Sequence, residues 1–293
     1  MDGKKIVVIG GTGFIGGAIR SFFNCVGTSS QKIANYKHLN ILNYQELKEF
    51  VENTEAEVLV NSSGITNVDL CETETKKAFN LNGKAASMLA KICNSADKTL
   101  VHISSDAIFD GFTPPYREEA IANPLNVYGK SKLIGELGAI KYNALIIRIS
   151  TPFDYCVSNG KKPFNCFVLE SLLKGMNVNI AIDQVTTPTF APDIPQAIDA
   201  LIQHKKRGLF NLGSTVPISR YDFAMKFAES AGLDVSLIRP AKLKDLPLMA
   251  KRPLDTSLDS TKISKYFHIT PLEKAIQYVS NQSMESLHHL NQK

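Results

Sequence analysis

A chain of 293 residues with 44% hydrophobic content can bury a sizeable core, as one large domain or as two lobes. Its net charge of +5 is modest and scattered, and no stretch approaches the ~18 apolar residues of a membrane span, so neither a nucleic-acid nor a membrane partner is expected. Five cysteines (Cys25, Cys71, Cys93, Cys156 and Cys166) form no Cys-x-x-Cys, and the first residues show no secretory h-region; reduced thiols, a cytoplasmic location and no structural zinc are expected.

The run Ile6-Val7-Val8-Ile9 reads as a short buried strand, followed at once by Gly10-Gly11-Thr12-Gly13-Phe14-Ile15-Gly16 and a helical pattern to about Phe23. Gly10, Gly13 and Gly16 fit Gly-x-x-Gly-x-x-Gly. Either these glycines serve packing alone, or they let backbone N–H groups approach a pyrophosphate; the strand-to-helix setting is the one a dinucleotide turn requires. A weak strand over 25–28, a helix over 44–53 and a strand over 57–61 come next, then a long helix over about 74–96 and a strand ending at Ser104. Asn126 can cap a helix running to about Ile140, and 144–149 is another buried strand. Asp193 can cap a helix with Pro195 in its first turn, Lys205-Lys206-Arg207 with Gly208 closes it, and 208–212 is a further strand. This alternation predicts an α/β fold, a Rossmann-type doubly wound parallel sheet with a smaller interleaved lobe. The sheet domain is placed at 1–150 with 188–215 returning to it. The lobe takes 151–187 and 216–281, and the polar residues 282–293 are expected to fray.

Tyr128 and Lys132 stand four residues apart, which on a helix puts phenol and ammonium on one face. The pair is either a surface contact or a tuned acid–base group. In the second case the ammonium is expected to lower the tyrosine pKa from about 10. A serine at the end of the preceding strand, Ser104 or Ser105, could hold the oxygen of a carbonyl or alcohol beside that phenol. Together with the glycine turn, this points to dinucleotide-dependent carbonyl or alcohol chemistry.

Several stretches resemble one family. They are Gly10 to Gly16, 60–72 (Val-Asn-Ser-Ser-Gly-Ile-Thr-Asn-Val-Asp-Leu-Cys-Glu), 104–111, 115–119, 124–136, Asp183-Gln184 with Pro188-Thr189, and 251–259. The chain resembles the dTDP-4-dehydrorhamnose reductase family, a sugar-nucleotide branch of the extended short-chain dehydrogenases/reductases. That resemblance implies Ser105, Tyr128 and Lys132 as catalytic residues, with Tyr128 the general acid and Lys132 also holding the nicotinamide ribose. It implies a cofactor site formed by Gly10, Thr12, Gly13, Phe14, Ile15 and Gly16, with Asn61, Ser62 and Ser63 beside it and Asn82 supporting it. Thr66, Val68 and Ser105 would face the sugar nucleotide, and Arg252 could pair with its diphosphate.

Four departures bear on the details. Ala107 stands where the family has tyrosine, and Thr151 where tryptophan is common, so the pocket loses aromatic surface. An acid used for a magnesium-bridged dimer in some relatives would fall near Ala18; no metal is expected, and any homodimer should not be metal-bridged. Asn40 replaces a common carboxylate, and Ser29, Ser30 and Lys32 follow the second strand, which favours NADPH over NADH unless 29–32 is only a solvated loop. The expected function is NADPH-dependent reduction of the C4 ketone of a nucleoside-diphospho-4-keto-6-deoxy sugar. A nucleotide-sugar epimerase and a non-catalytic regulatory subunit like the methionine adenosyltransferase beta subunit remain alternatives. Ala107 in the place of a dehydratase's glutamate argues against dehydration.

Overall fold

The computed structural model describes residues 5–155 and 163–291. Strand β1 (Ile6–Ile9) leads through the glycine turn into helix α1 (Phe14–Phe23), followed by β2 (Val26–Ser29), β3 (Lys37–His38), α2 (Tyr44–Asn53) and β4 (Val58–Asn61). Helices α3 (Val68–Thr73), α4 (Thr75–Ala78) and α5 (Ala86–Ser95) precede β5 (Thr99–Ser105), and α6 (Val127–Lys141) precedes β6 (Leu145–Ile149). The chain then crosses α7 (Phe164–Leu173), β7 (Val178–Ala181) and β8 (Val185–Thr186), and returns through α8 (Asp193–Gln203) to β9 (Gly208–Leu212). It finishes with β10 (Ile218–Ser219), α9 (Arg220–Ser230), β11 (Ile238–Ala241) and α10 (Leu272–Asn291).

Seven strands form one parallel sheet in the order β3-β2-β1-β4-β5-β6-β9. Both faces are covered, so the strands are apolar throughout rather than alternating. In β1, Ile6 and Val8 meet Ile19 of α1 and Ile194 and Ile198 of α8, while Val7 and Ile9 pack on the other face with Leu47 of α2 and Leu89 of α5. The strand order reverses between β1 and β4. Their carboxyl ends therefore open into the crevice where such sheets hold ligands.

A second core builds the smaller lobe from Phe153, Leu169, Ile180, Phe223 and Phe227 together with Ile276 and Val279 of α10. One stretch expected with that lobe does not stay there. Ile263 and Ile269 pack into the sheet core, and Leu258 pairs with Tyr116, because 255–269 is the strap that carries the chain back across the sheet edge.

Four other expectations are corrected. The long helix over 74–96 is broken by a seven-residue π-helical turn, Phe79–Ala85, between α4 and α5. The wider turn swings Asn82 inward, where its Oδ1 accepts from Ile65 N–H (2.8 Å) and its Nδ2 donates to the Ile65 carbonyl and to Ser131 Oγ (both 3.0 Å). Asp193 does not cap α8: it is the first helical residue, and its carboxylate instead accepts from the backbone and hydroxyl of Thr270. Residues 282–291, expected to fray, continue α10, whose inner face is held by the lobe core through Met284 and Leu287. Finally, Cys166 is disulfide-bonded while Cys25, Cys71 and Cys93 are not; Cys156 lies outside the described residues.

The sheet and α6 are joined by a buried ion pair. Arg148 in β6 donates to both Glu136 oxygens (3.0 and 2.7 Å) and to the Glu118 carbonyl (3.0 Å), and Ser104 Oγ donates to Glu136 Oε2 (2.6 Å). Both side chains are nearly inaccessible, so removing one partner strands the other's charge. Glu136→Ala should therefore cost about 3–5 kcal/mol of stability. Urea unfolding monitored by circular dichroism measures it; a loss below about 1 kcal/mol would contradict the assignment.

Candidate active site at the carboxyl end of the sheet

The glycine turn is built for close approach. Gly10 sits at φ +79°, and a Cβ there would lie 2.8 Å from the Ser63 backbone; one on Gly16 would lie 2.2 Å from the Gly10 carbonyl oxygen. The turn is thereby pressed between the end of β4 and the start of α1. Gly13 N–H donates to the Gly10 carbonyl (3.0 Å), Thr12 and Gly13 are exposed, and Phe14 and Ile15 are half-buried. This exposed turn at the positive end of α1 fits a dinucleotide pyrophosphate.

Behind it, Ser62 Oγ donates to the Ile9 carbonyl (2.9 Å). The Asn61 side chain is turned into the protein: its Oδ1 accepts from Ser63 N–H (3.1 Å) and Ser63 Oγ (2.6 Å), leaving Nδ2 at 3.2 Å from His102 Nδ1. That ring nitrogen must then accept, so the imidazole proton sits on Nε2. Burial, and then the Lys132 charge, hold His102 well below the usual 6.5. Asn61 thus supports the site from below rather than facing the cleft.

At the other end of the cofactor groove, Ser29 is buried and accepts from Gln31 N–H (3.0 Å), whereas Ser30 and Lys32 are exposed. Asn40 lies in a turn, its Oδ1 accepting from Leu42 N–H (3.1 Å). Asn40 replaces a carboxylate in the sequence, yet one stands beside it: Glu46 Oε1 accepts the Asn40 backbone N–H (2.8 Å) and lies 3.4 Å from His38 Nδ1. Helix α2 brings Glu46 back over the turn, a return that local sequence does not show.

The catalytic trio converges at the end of β5. Asn126 caps α6 by accepting Gly129 N–H (2.8 Å), and Val127 N–H donates to Glu72 (2.8 Å). A Cβ on Gly129 would lie 2.2 Å from the Ala107 carbonyl oxygen, so only glycine lets this helix start against the Ser105–Ala107 turn. That contact sets Tyr128 beside Ser105, near enough for the serine hydroxyl to act on the phenol. Lys132, one turn on, donates to the Ile103 carbonyl (2.7 Å).

The electrostatics differ from expectation. Burial pushes the Tyr128 phenol up to about 12, the nearby Ser105 hydroxyl opposing it, and Asp106 and Cys71 pushing it further up. Lys132 does not hold the phenolate here. Its ammonium faces the Ile103 carbonyl, and burial lowers it to about 8. The phenol is neutral at pH 7, the state in which it can donate a proton.

Beside the trio, Asp106 accepts from Ser105 Oγ (3.1 Å), Ser150 Oγ (2.6 Å) and Thr256 Oγ1 (2.6 Å). Its carboxyl is raised by burial, against those hydroxyls and the charge of Arg220. On the facing side Thr66 is exposed, Val68 is half-buried, and Thr151 holds φ +39°. Arg252 does not stand free: its Nη2 donates to Asp69 Oδ1 (3.0 Å), which also accepts Ala250 N–H (2.9 Å). The residue that sequence reasoning missed is Arg220. A signal existed, because a cation at the first position of α9 opposes the helix dipole. Among the described residues no group of three or more His, Cys, Asp or Glu side chains could hold a metal ion, and no helix is long and apolar enough to cross a membrane.

His102 gives a pH test of this arrangement. Its folded pKa is depressed, so below about 6.5 the unfolded chain takes up a proton that the folded one refuses; the stability is present above 6.5 and lost as pH falls. Urea midpoints for the wild type should drop between pH 7.5 and 5.5 more steeply than those of His102→Gln. Parallel profiles would show that His102 titrates freely.

Comparison with known proteins places these features in a family. Residues 4–284 match the family model described as the RmlD substrate binding domain. A dTDP-4-dehydrorhamnose reductase of Aggregatibacter actinomycetemcomitans is 27% identical over 282 residues, 91% of this chain and 94% of that protein. Methionine adenosyltransferase 2 subunit beta of Xenopus tropicalis is 26% identical, over 90% of this chain and 83% of its own length. The crystal structure of a hypothetical dTDP-4-dehydrorhamnose reductase from Sulfolobus tokodaii superposes with a TM-score of 0.82 at 30% identity, covering 90% of this chain and 95% of that one.

Proposed function

Because this chain belongs to the RmlD substrate binding domain family, we propose that it is an NADPH-dependent reductase of the C4 ketone of a nucleoside-diphospho-4-keto-6-deoxy sugar. The specific substrate proposed is dTDP-4-dehydro-L-rhamnose, giving dTDP-L-rhamnose. The observation that carries this reading is the pairing of Ser105 with a neutral Tyr128 at the end of β5, beside a glycine turn too tight for side chains. The sheet domain, 1–150 with 188–215, would hold the cofactor, and the lobe, 151–187 with 216–281, the sugar nucleotide.

Gly10, Thr12, Gly13, Phe14, Ile15 and Gly16 would cradle the pyrophosphate, and the bound reduced nicotinamide supplies a hydride. Lys132 would hold the nicotinamide ribose, and Asn82 fixes the Ile65 turn against α6 through Ser131. Ser105 would hydrogen-bond the ketone oxygen, Tyr128 would donate its proton to that oxygen, and the developing alkoxide is stabilised by both. Thr66 and Val68 would face the sugar nucleotide. Tyr128→Phe should leave NADPH affinity within about fourfold, under ~1 kcal/mol, and cut turnover at least ~100-fold. Near wild-type turnover would remove Tyr128 from the mechanism.

Cofactor preference rests on exposed Ser30 and Lys32 after β2, with Glu46 already engaged by Asn40 and His38. NADPH should bind more tightly than NADH in parallel titrations; equal or reversed affinities would refute the preference. Any homodimer is proposed to lack a metal bridge, since Ala18 offers no ligand. A second reading is favoured by the similar identity to the methionine adenosyltransferase subunit: a regulatory chain that binds NADP without turnover. NADPH oxidation with dTDP-4-dehydro-6-deoxy-L-mannose against a no-sugar control separates the two.

A further inference from the structure

Among the described residues, the charges near Asp106 differ in how they are partnered. Asp106 accepts from three hydroxyls, and Asp69 Oδ1 from Arg252 and the Ala250 N–H. Arg252 is spent on Asp69 and on the Ala250 carbonyl (3.4 Å). Arg220 is different. It is half-buried at the first position of the 11-residue helix α9, and its Nε is buried without a hydrogen-bond partner. Among the described residues its guanidinium has no hydrogen-bond or ion-pair partner at all.

Two features place this group rather than leave it loose. Its backbone N–H donates to the Gln184 carbonyl (2.8 Å), and its Cζ stacks 4.9 Å from the centre of the Phe164 ring. Stacking occupies the flat faces of a guanidinium and leaves its N–H edges free for a planar or tetrahedral anion. The charge sits where it is least favourable for folding, at the positive end of a helix and within electrostatic reach of a second cation, Arg252. Asp106 is also within reach, but its oxygens are committed to hydroxyls. Like charges near a helix N-terminus, one of them without a hydrogen-bond partner, describe a receptor for more than one negative charge.

We infer that Arg220, with the amino end of α9 behind it and Arg252 as a flanking charge, is the residue that binds the diphosphate of the substrate. The inference rests on the nucleotide-sugar reading and reassigns its anchor: Arg252 ties the lobe to α3 through Asp69, and Arg220 grips the ligand.

The test is isothermal titration of the full chain with dTDP and with thymidine, the wild type against Arg220→Gln and Arg220→Lys. Melting temperature and circular dichroism establish that each variant is folded. Arg220→Gln should weaken dTDP at least about tenfold and leave thymidine unchanged, because one charge-assisted contact is lost. Arg220→Lys keeps the charge without the forked donors and should fall between; it decides the matter alone if the glutamine variant does not fold. A folded variant that binds dTDP as the wild type does overturns the assignment while leaving the nucleotide-sugar reading intact. If the wild type binds no dTDP, both fall. If dTDP binding depends on Arg220 but no 4-keto sugar is reduced, the assignment stands and the reductase reading fails.

Discussion

The buried carboxylate of Asp106 holds together what the rest of the site needs. It takes hydrogen bonds from Ser105 at the end of β5, Ser150 just beyond β6 and Thr256 in the strap returning from the lobe. Three separate segments meet on one residue. A buried carboxylate in a low-dielectric interior is costly unless its oxygens accept hydrogen bonds, and three hydroxyls donate to them here. The direction of the Ser105 hydroxyl, the spacing of two sheet strands and the seating of the lobe are thus constrained together. Arg148 and Glu136 act similarly one layer deeper, fastening α6 to β6 so that Tyr128 is carried on a helix that cannot shift alone.

The acid–base pair gains its character from burial more than from its partner. Four-residue spacing brought phenol and ammonium to one helix face, as periodicity requires, yet Lys132 turns to the Ile103 carbonyl and desolvation dominates both groups. Sequence spacing fixes which side chains can meet. It says nothing of the dielectric around them, which depends on segments far away in the chain.

Much of the scaffold was legible because it is local. Helix α2 occupies the residues its pattern marks, Asn126 caps α6 through its own side chain, and the β1–glycine–α1 unit follows from a buried run and three spaced glycines. The rest needed tertiary information. The π turn at Phe79–Ala85 exists because Asn82 reaches Ile65 and Ser131, neither of which a helical pattern reveals. Asp193 looked like a cap but answers to Thr270, 77 residues on. Arg252 was visible as a cation, but its engagement by Asp69 was not, and that engagement shifted attention to Arg220. Cofactor-facing glycines announce themselves; whether a charged side chain is already spoken for does not.

The chain passes between its two cores repeatedly. It leaves the sheet at Phe153, builds half a lobe through β7, returns for α8 and β9, goes back for α9 and β11, and packs Ile263 against the sheet before α10 joins the lobe. Neither core can be completed from a continuous piece of polypeptide. The sheet lacks its last strand until the ribosome has delivered residue 212, and by then half a lobe is already waiting with its apolar side uncovered. The two cores are therefore bound to close late and together, and a cut anywhere between them would yield two sticky halves rather than two domains.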